Sequence, residues 1–217
     1  MPRRLKALDI EDIFRRFQAA NPEPKGELKS VNDFTFLVAV VLSAQTTDAA
    51  VNAATGALFG KADSPEKMIA MGEENLRSAI RSIGLFRMKA KNLMLLSQKL
   101  IKFHNGKVPA TREGLEALPG VGRKTANVVL NTVFGEPTIA VDTHLFRLGN
   151  RIGLAPGKNP LEVETRLLKV IPAPYLHHAH HWLILHGRYV CKARKPECWH
   201  CVINDICQFK PKTAAPT

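Results

Sequence analysis

The chain has 217 residues, 45% of them hydrophobic, which is enough apolar material for one large domain or two small ones. Lys and Arg outnumber Asp and Glu by 31 to 19, and this excess favours a polyanionic partner such as nucleic acid. The longest apolar stretch, residues 34–42, is far too short to cross a bilayer, and the N-terminus lacks the apolar core of a secretory signal. We therefore expect a cytoplasmic protein with no membrane partner.

Apolar residues recur at helical spacing along most of the chain. Ile10, Ile13 and Phe17 lie on one stripe that predicts a helix before the break at 21–24, and the nearly all-apolar segment 34–44 predicts a buried helix. Further helices are predicted for 47–59, 75–83, 87–104, 111–117, 123–134, 142–152, 160–170 and 176–190. Alternating strand patterns are absent, so the sequence predicts an all-α fold of adjacent packed helices.

Residues 118–130 read Leu-Pro-Gly-Val-Gly-Arg-Lys-Thr-Ala-Asn-Val-Val-Leu. Pro119, Gly120 and Gly122 force a tight turn, after which helical periodicity returns. Free amides at a helix start attract phosphate, and glycine lets backbone approach a ligand closely. Arg123 and Lys124 place two cations where the helix dipole disfavours them, which suggests a use. The residues alone leave Lys124 open between a phosphate ligand and a nucleophile.

All four cysteines lie in the last 27 residues with the spacing C-x6-C-x2-C-x5-C: Cys191, Cys198, Cys201 and Cys207. A reducing cytosol argues against disulfides, which leaves a four-thiolate zinc site or an iron–sulfur cluster, and the spacing does not decide between them. His200 lies between two of the cysteines, and His177 and His181 are four residues apart on a predicted helix. These histidines are more typical of packing or surface positions than of metal ligands.

These motifs together resemble the endonuclease III family of the helix–hairpin–helix superfamily, which are DNA glycosylases and abasic-site lyases of base excision repair. The resemblance covers nearly the whole chain and includes the runs at 42–48, 82–85, 138–144 and 180–189. It implies that Cys191, Cys198, Cys201 and Cys207 bind one [4Fe–4S] cluster per chain instead of zinc. With its thiolates the cluster would carry about −2, lowering the formal charge of +12 to about +10.

The resemblance also implies an architecture of two helical lobes with a DNA-binding groove between them. Residues 26–137 would form a six-helix domain with the helix–hairpin–helix motif. Residues 1–25 and 138–217 would form the second lobe, with the cluster loop at 191–207. The expected partner is double-stranded DNA with damaged bases or abasic sites, bound by a monomer at the nucleoid of a prokaryotic cytoplasm.

Catalytic roles follow from the resemblance for two residues. Lys124 corresponds to the family's catalytic lysine and Asp142 to its catalytic aspartate. An aspartate can stabilise the oxocarbenium character that develops on the sugar. The lysine can attack C1′ and form a Schiff base, after which β-elimination breaks the strand. Without the resemblance, a phosphate-binding lysine and a capping aspartate explain the two residues equally well.

Other positions correspond to DNA contacts. The target base lies inside the duplex and must be flipped out, so side chains have to fill the space. By resemblance, Gln45 faces the orphaned base and Leu85 is a wedge. The hairpin backbone would hold a phosphate, with basic residues of the cluster loop nearby on the DNA. The remaining expected DNA contacts are Leu118, Pro119, Gly120, Val121, Gly122, Arg123, Lys192, Arg194 and Lys195.

Three functions compete at this point. The first is a bifunctional glycosylase and abasic-site lyase for oxidised pyrimidines. The second is a monofunctional mismatch glycosylase of the same superfamily, a class that lacks the lysine, so Lys124 argues against it. The third is a non-catalytic DNA-binding module, which would not need both Lys124 and Asp142.

Overall fold

The computed structural model describes residues 5–216, and the regular secondary structure of that part of the chain is entirely helical. Its α-helices are α1 (Ala7–Ala20), α2 (Asp33–Leu42), α3 (Asp48–Phe59), α4 (Pro65–Met71), α5 (Glu73–Ala79), α6 (Phe86–His104), α7 (Arg112–Glu116), α8 (Arg123–Phe134), α9 (Thr143–Ile152), α10 (Pro160–Val170) and α11 (Leu176–Tyr189). Short 3₁₀ segments occur at Ala173–Tyr175 and Cys198–His200. The described residues contain no strand, which confirms the all-α class, and none of their helices is long and apolar enough to cross a membrane.

Helix boundaries match the prediction best where glycine or proline marks them. Helices α8 and α10 have the predicted bounds; Gly122 precedes α8, and Pro160 is the first residue of α10. The prediction for 75–83 is wrong, because α5 ends at Ala79 and a separate helix, α4, precedes it. Ser64 caps α4 by accepting a hydrogen bond from the Lys67 amide, and Gly72, with φ +80°, separates the two helices.

The chain forms two compact units. The central unit is Glu27–Gly135 and contains α2 to α8. Nine consecutive residues of α2, from Phe34 to Leu42, are buried, which explains why this helix is apolar on every side. Helix α6 packs an apolar stripe that includes Leu93, Leu96 and Leu100 into the same core.

The terminal unit consists of the residues up to Gly26 together with those from Glu136 onward. Its core joins both ends of the sequence, since Phe14 of α1 stacks on Tyr175 with ring centroids 5.9 Å apart. The indole N–H of Trp182 donates to the carbonyl oxygen of Asn21 at 2.7 Å. Arg16 of α1 also pairs with Asp205 at 2.6 Å, so the N-terminal helix is fastened to the C-terminal segment.

Candidate functional site

Helices α7 and α8 are joined by a short hairpin at residues 117–122, which completes a helix–hairpin–helix motif. The amide of Val121 donates to the carbonyl of Leu118 at 3.1 Å, and both side chains are buried in the central unit. Gly120 has φ +81°, and a Cβ there would lie 3.2 Å from the side-chain nitrogen of Asn92. The fold itself therefore requires glycine at position 120.

The second glycine of the hairpin has a different explanation. Gly122 has an ordinary φ of −106°, and a Cβ added to it would meet nothing within 4 Å. It is the N-cap of α8 and supplies no side-chain cap to the amides of the first turn. The fold does not require glycine here, and the open space in front of the helix start suits the close approach of an anion.

Lys124 and Arg123 are exposed in the first turn of α8, where the structure places no acidic residue. Both cations therefore lie at the positive end of the helix dipole, as the sequence indicated. Exposure makes the Lys124 amine accessible to a ligand bound at the hairpin.

Asp142 is the N-cap of α9 in the terminal unit and is half-buried. Its Oδ1 accepts hydrogen bonds from the amides of His144 at 2.8 Å and Leu145 at 2.9 Å. The capping role considered from the sequence is thus observed. These two bonds fix the orientation of the carboxylate through one oxygen.

Gln45 and Leu85 are exposed residues of the central unit with unusual backbone conformations. Their φ values are +56° and +58°, in the left-handed region that non-glycine residues rarely adopt. The Leu85 side chain is 54% exposed, although leucine gains most from burial. Strained, exposed residues of this kind cluster at binding sites.

The four cysteines line one cavity in the terminal unit, together with apolar side chains that include Ile152, Ile203 and Phe209. Cys191 and Cys198 are buried, and Cys201 and Cys207 are half-buried. A donor set of four thiols around a largely apolar cavity fits an iron–sulfur cluster. Burial raises the pKa of the Cys201 thiol to about 11, so binding of iron there must displace a proton.

Two arginines of α9 hold the start of the cysteine loop. Arg151 approaches the Cys191 sulfur at 3.6 Å and donates to the carbonyl of Lys192 at 2.7 Å. Arg147 donates to the carbonyl of Cys191 at 3.1 Å. Burial raises the pKa of the Cys191 thiol, and the Arg151 guanidinium opposes that rise by favouring the thiolate. The guanidinium groups therefore offset the negative charge that thiolate ligands bring.

The basic residues predicted to contact DNA are exposed on the same loop, between Cys191 and Cys198. The Lys192 ammonium pairs with Glu197, whereas no ion pair is seen for Arg194 or Lys195 in the described part of the chain. Glu197 also contacts His200 Nε2 at 2.7 Å, and His200 is not among the residues that line the cavity.

His177 and His181 both lie on α11, four residues apart as the sequence indicated. Burial is the main cause that lowers the pKa of His181 to about 4, with His178 and His177 adding to the effect. Among residues 5–216, no group of three His, Cys, Asp or Glu side chains arranged for one metal ion includes either histidine.

Sequence reasoning missed Lys89, which is only 5% exposed on α6. Its Nζ donates to the carbonyl oxygens of Leu42 and Ala44 and to the Thr46 hydroxyl. One signal was available, because Lys89 stands four residues before Leu93 on the apolar stripe of its helix.

The chain matches known proteins over most of its length. The model of the HhH-GPD superfamily base excision DNA repair proteins matches residues 38–173, and that of the iron-sulfur binding domain of endonuclease III matches residues 191–207. Endonuclease III of Rickettsia conorii is 56% identical over 205 residues, covering 94% of this chain and 98% of its own. Endonuclease III of Escherichia coli K12 is 54% identical over 201 residues, covering 93% and 95%.

A solved structure of a trapped covalent intermediate between endonuclease III and DNA, in an estranged-adenine complex, superposes with a TM-score of 0.88. It is 45% identical and covers 94% of this chain and 96% of that one. The match to the iron-sulfur domain model spans all four cysteines and supports a [4Fe–4S] cluster instead of zinc. The chain therefore belongs to the endonuclease III family within the HhH-GPD superfamily of base excision DNA repair proteins.

Proposed function

We propose that this protein removes oxidised pyrimidines from duplex DNA and cleaves the strand 3′ to the resulting abasic site. It is a bifunctional DNA glycosylase and abasic-site lyase of base excision repair, acting on cytoplasmic nucleoid DNA. The observation that carries this proposal is that Lys124 is exposed in the first turn of α8. That turn directly follows the hairpin, whose last residue, Gly122, has no side chain to cap the helix. A covalent endonuclease III–DNA intermediate is known for a relative, which supports a nucleophile at this position.

In the first step, the neutral amine of Lys124 attacks C1′ of the damaged nucleotide. The glycosidic bond breaks, and its electron pair leaves with the base while the attacking nitrogen loses its proton. The Asp142 carboxylate stabilises the positive charge that builds on the sugar and can accept that proton. The C1′–nitrogen bond then becomes a Schiff base by opening of the sugar ring.

In the second step, loss of a C2′ proton from the iminium drives the electron pair toward C3′. The C3′–oxygen bond breaks, and the 3′ phosphate leaves. Water later hydrolyses the imine and restores Lys124. The free backbone amides at Gly122 and the start of α8 bind a DNA phosphate, and this contact keeps the DNA backbone in place during both steps.

Access to the base requires flipping, which costs a few kcal/mol. The exposed Leu85 enters the duplex as the wedge, and Gln45 faces the orphaned base. Both side chains are already exposed before DNA binds, on turns whose backbone is in the left-handed conformation. This pre-organisation offsets part of the cost of unstacking.

Cys191, Cys198, Cys201 and Cys207 hold the [4Fe–4S] cluster. The cluster would supply the iron atoms that the four thiolates bond, and these bonds would fasten an otherwise irregular loop. The loop presents Arg194 and Lys195 to the phosphate backbone. Lys192 contributes less, because its ammonium is paired with Glu197.

Borohydride trapping tests the central step. Wild-type protein incubated with abasic-site DNA and borohydride should form a covalent adduct, and Lys124→Ala should not. Lys67→Ala, which changes an exposed lysine paired with Asp63, is the matched control and should retain the adduct. Asp142→Asn should slow base release more than it weakens binding to abasic DNA.

The alternatives give different results. Absence of an adduct with wild-type protein would reject the lyase. Free base released without an adduct would then indicate a monofunctional glycosylase. Binding without either product would indicate a non-catalytic DNA-binding module.

A further inference from the structure

Lys89 is a buried lysine whose ammonium donates hydrogen bonds to three neutral acceptors at and just after the end of α2. Its Nζ lies 2.9 Å from the Leu42 carbonyl oxygen, 2.7 Å from that of Ala44 and 3.0 Å from the Thr46 hydroxyl. Three acceptors match the three N–H groups of an ammonium. Burial lowers the pKa of Lys89, so these bonds offset a real cost of placing charge in the core.

Leu42 is the last residue of α2, and Ala44 and Thr46 lie in the connection to α3, which also carries Gln45. The Ala44 carbonyl belongs to the peptide group immediately before Gln45, whose φ is +56°. Rotation of that peptide group would swing the Gln45 side chain. The bond from Lys89 therefore acts on the backbone that sets the direction of Gln45.

Lys89 also contacts the turn that carries Leu85. Its backbone amide donates to the Leu85 carbonyl at 3.0 Å, at the first turn of α6. Leu85 is the N-cap of that helix, has φ +58° and provides no side-chain cap. The bond from the Lys89 amide is the regular first-turn hydrogen bond of α6, so it fixes position 89 relative to Leu85, and the Lys89 side chain then ties that helix start to the Gln45 turn, although Leu42 is 47 residues away in sequence.

We propose that Lys89 is a positioning residue that couples the Gln45 and Leu85 turns, so that the two side chains enter the duplex as one unit when a base is flipped. This inference rests on the proposed function. Lys89 does not touch the reacting atoms. Removing the Lys89 ammonium should let the Gln45 turn shift relative to Leu85. This shift should slow base flipping but leave the Schiff-base chemistry of Lys124 intact.

The test separates flipping from chemistry by using two substrates. Lys89→Met keeps most of the length and the apolar character of the side-chain stem and removes its three donors. Single-turnover base release from a duplex containing one oxidised pyrimidine should fall about tenfold to a hundredfold, the size of effect expected from a misplaced positioning group. Borohydride trapping on a single-stranded oligonucleotide with an abasic site, where no base has to be displaced, should stay within about twofold of wild type.

Two further variants keep the test decisive. Lys67→Met makes the same change at an exposed lysine of the central unit and should alter neither rate. Thr46→Val removes one acceptor with little change of volume and should slow duplex base release less than Lys89→Met does, with trapping unchanged. It serves in place of Lys89→Met should that variant fail to show a cooperative thermal transition.

Equal losses on both substrates would overturn the inference, because they indicate a merely structural lysine. Unchanged duplex base release in Lys89→Met would overturn it as well. Failure of wild-type protein to trap the single-stranded abasic site, with Lys124→Ala as the reference, would instead reject the proposed function. The two failures are therefore distinguishable.

Discussion

Gly120 and Gly122 are two residues apart in one hairpin, yet the fold accounts for only the first. Gly120 needs a positive φ and has Asn92 and Val41 within 3.4 Å of its missing Cβ. Gly122 has neither constraint, so its lack of a side chain is best explained by a ligand that approaches the helix start. The sequence predicted both glycines as parts of an anion site but could not separate these causes, which depend on neighbours brought close by folding.

Alanine at each glycine should separate folding from DNA binding. Gly120→Ala should lower the free energy of unfolding by about 1 to 2 kcal/mol, because alanine is strained at that φ. Gly122→Ala should change it by less than about 1 kcal/mol but weaken binding to abasic duplex about tenfold, the loss expected for one charge-assisted hydrogen bond. Urea unfolding and fluorescence anisotropy measure the two effects. Unchanged DNA affinity in Gly122→Ala would contradict phosphate binding at this helix start.

At the scale of elements, capping residues decided how well the helices were predicted. Helix α8 lies between Gly122 and Gly135, and its bounds were predicted correctly. The signal of Ser64 and Pro65 at the start of α4 is equally clear in the sequence and was missed. The cysteine loop is different in kind. Its path depends on Arg147 and Arg151 of a distant helix, which no local pattern reveals.

The cysteine loop should depend on iron for its order. Cys198→Ser should lose the visible absorption of the cluster and most of its iron, and should lower the thermal stability of the terminal unit, since metal binding contributes folding energy. His200→Ala is the matched control from the same segment and should keep both, because His200 is not among the residues that line the cavity. Iron analysis and calorimetry provide the measurements. Zinc in the wild-type protein would refute the cluster.

At the scale of the whole molecule, the all-α class could be predicted because helical periodicity and the lack of strand alternation are properties of the entire chain. The joining of α1 to the C-terminal segment was expected only from the family resemblance, since no local pattern reveals contacts such as that between Arg16 and Asp205. The bridge made by Lys89 was missed for the same reason. A contact between residues distant in the chain gives only a weak signal in the sequence, such as the single lysine at position 89 on the apolar stripe of α6.

The excess of basic residues predicts how strongly the DNA affinity of the protein depends on salt concentration. If Arg123, Arg194 and Lys195 each neutralise one phosphate, the logarithm of the affinity for undamaged duplex falls with log salt at a slope of about −2.7, or about 40-fold between 50 and 200 mM. Replacing Arg194 and Lys195 with Gln should make the slope about 1.8 less steep. Lys192→Gln should change it less than either single replacement, because Glu197 already compensates that charge. Anisotropy titrations across this salt range measure the slope. An unchanged slope in the double variant would show that the cysteine loop does not contact the DNA backbone.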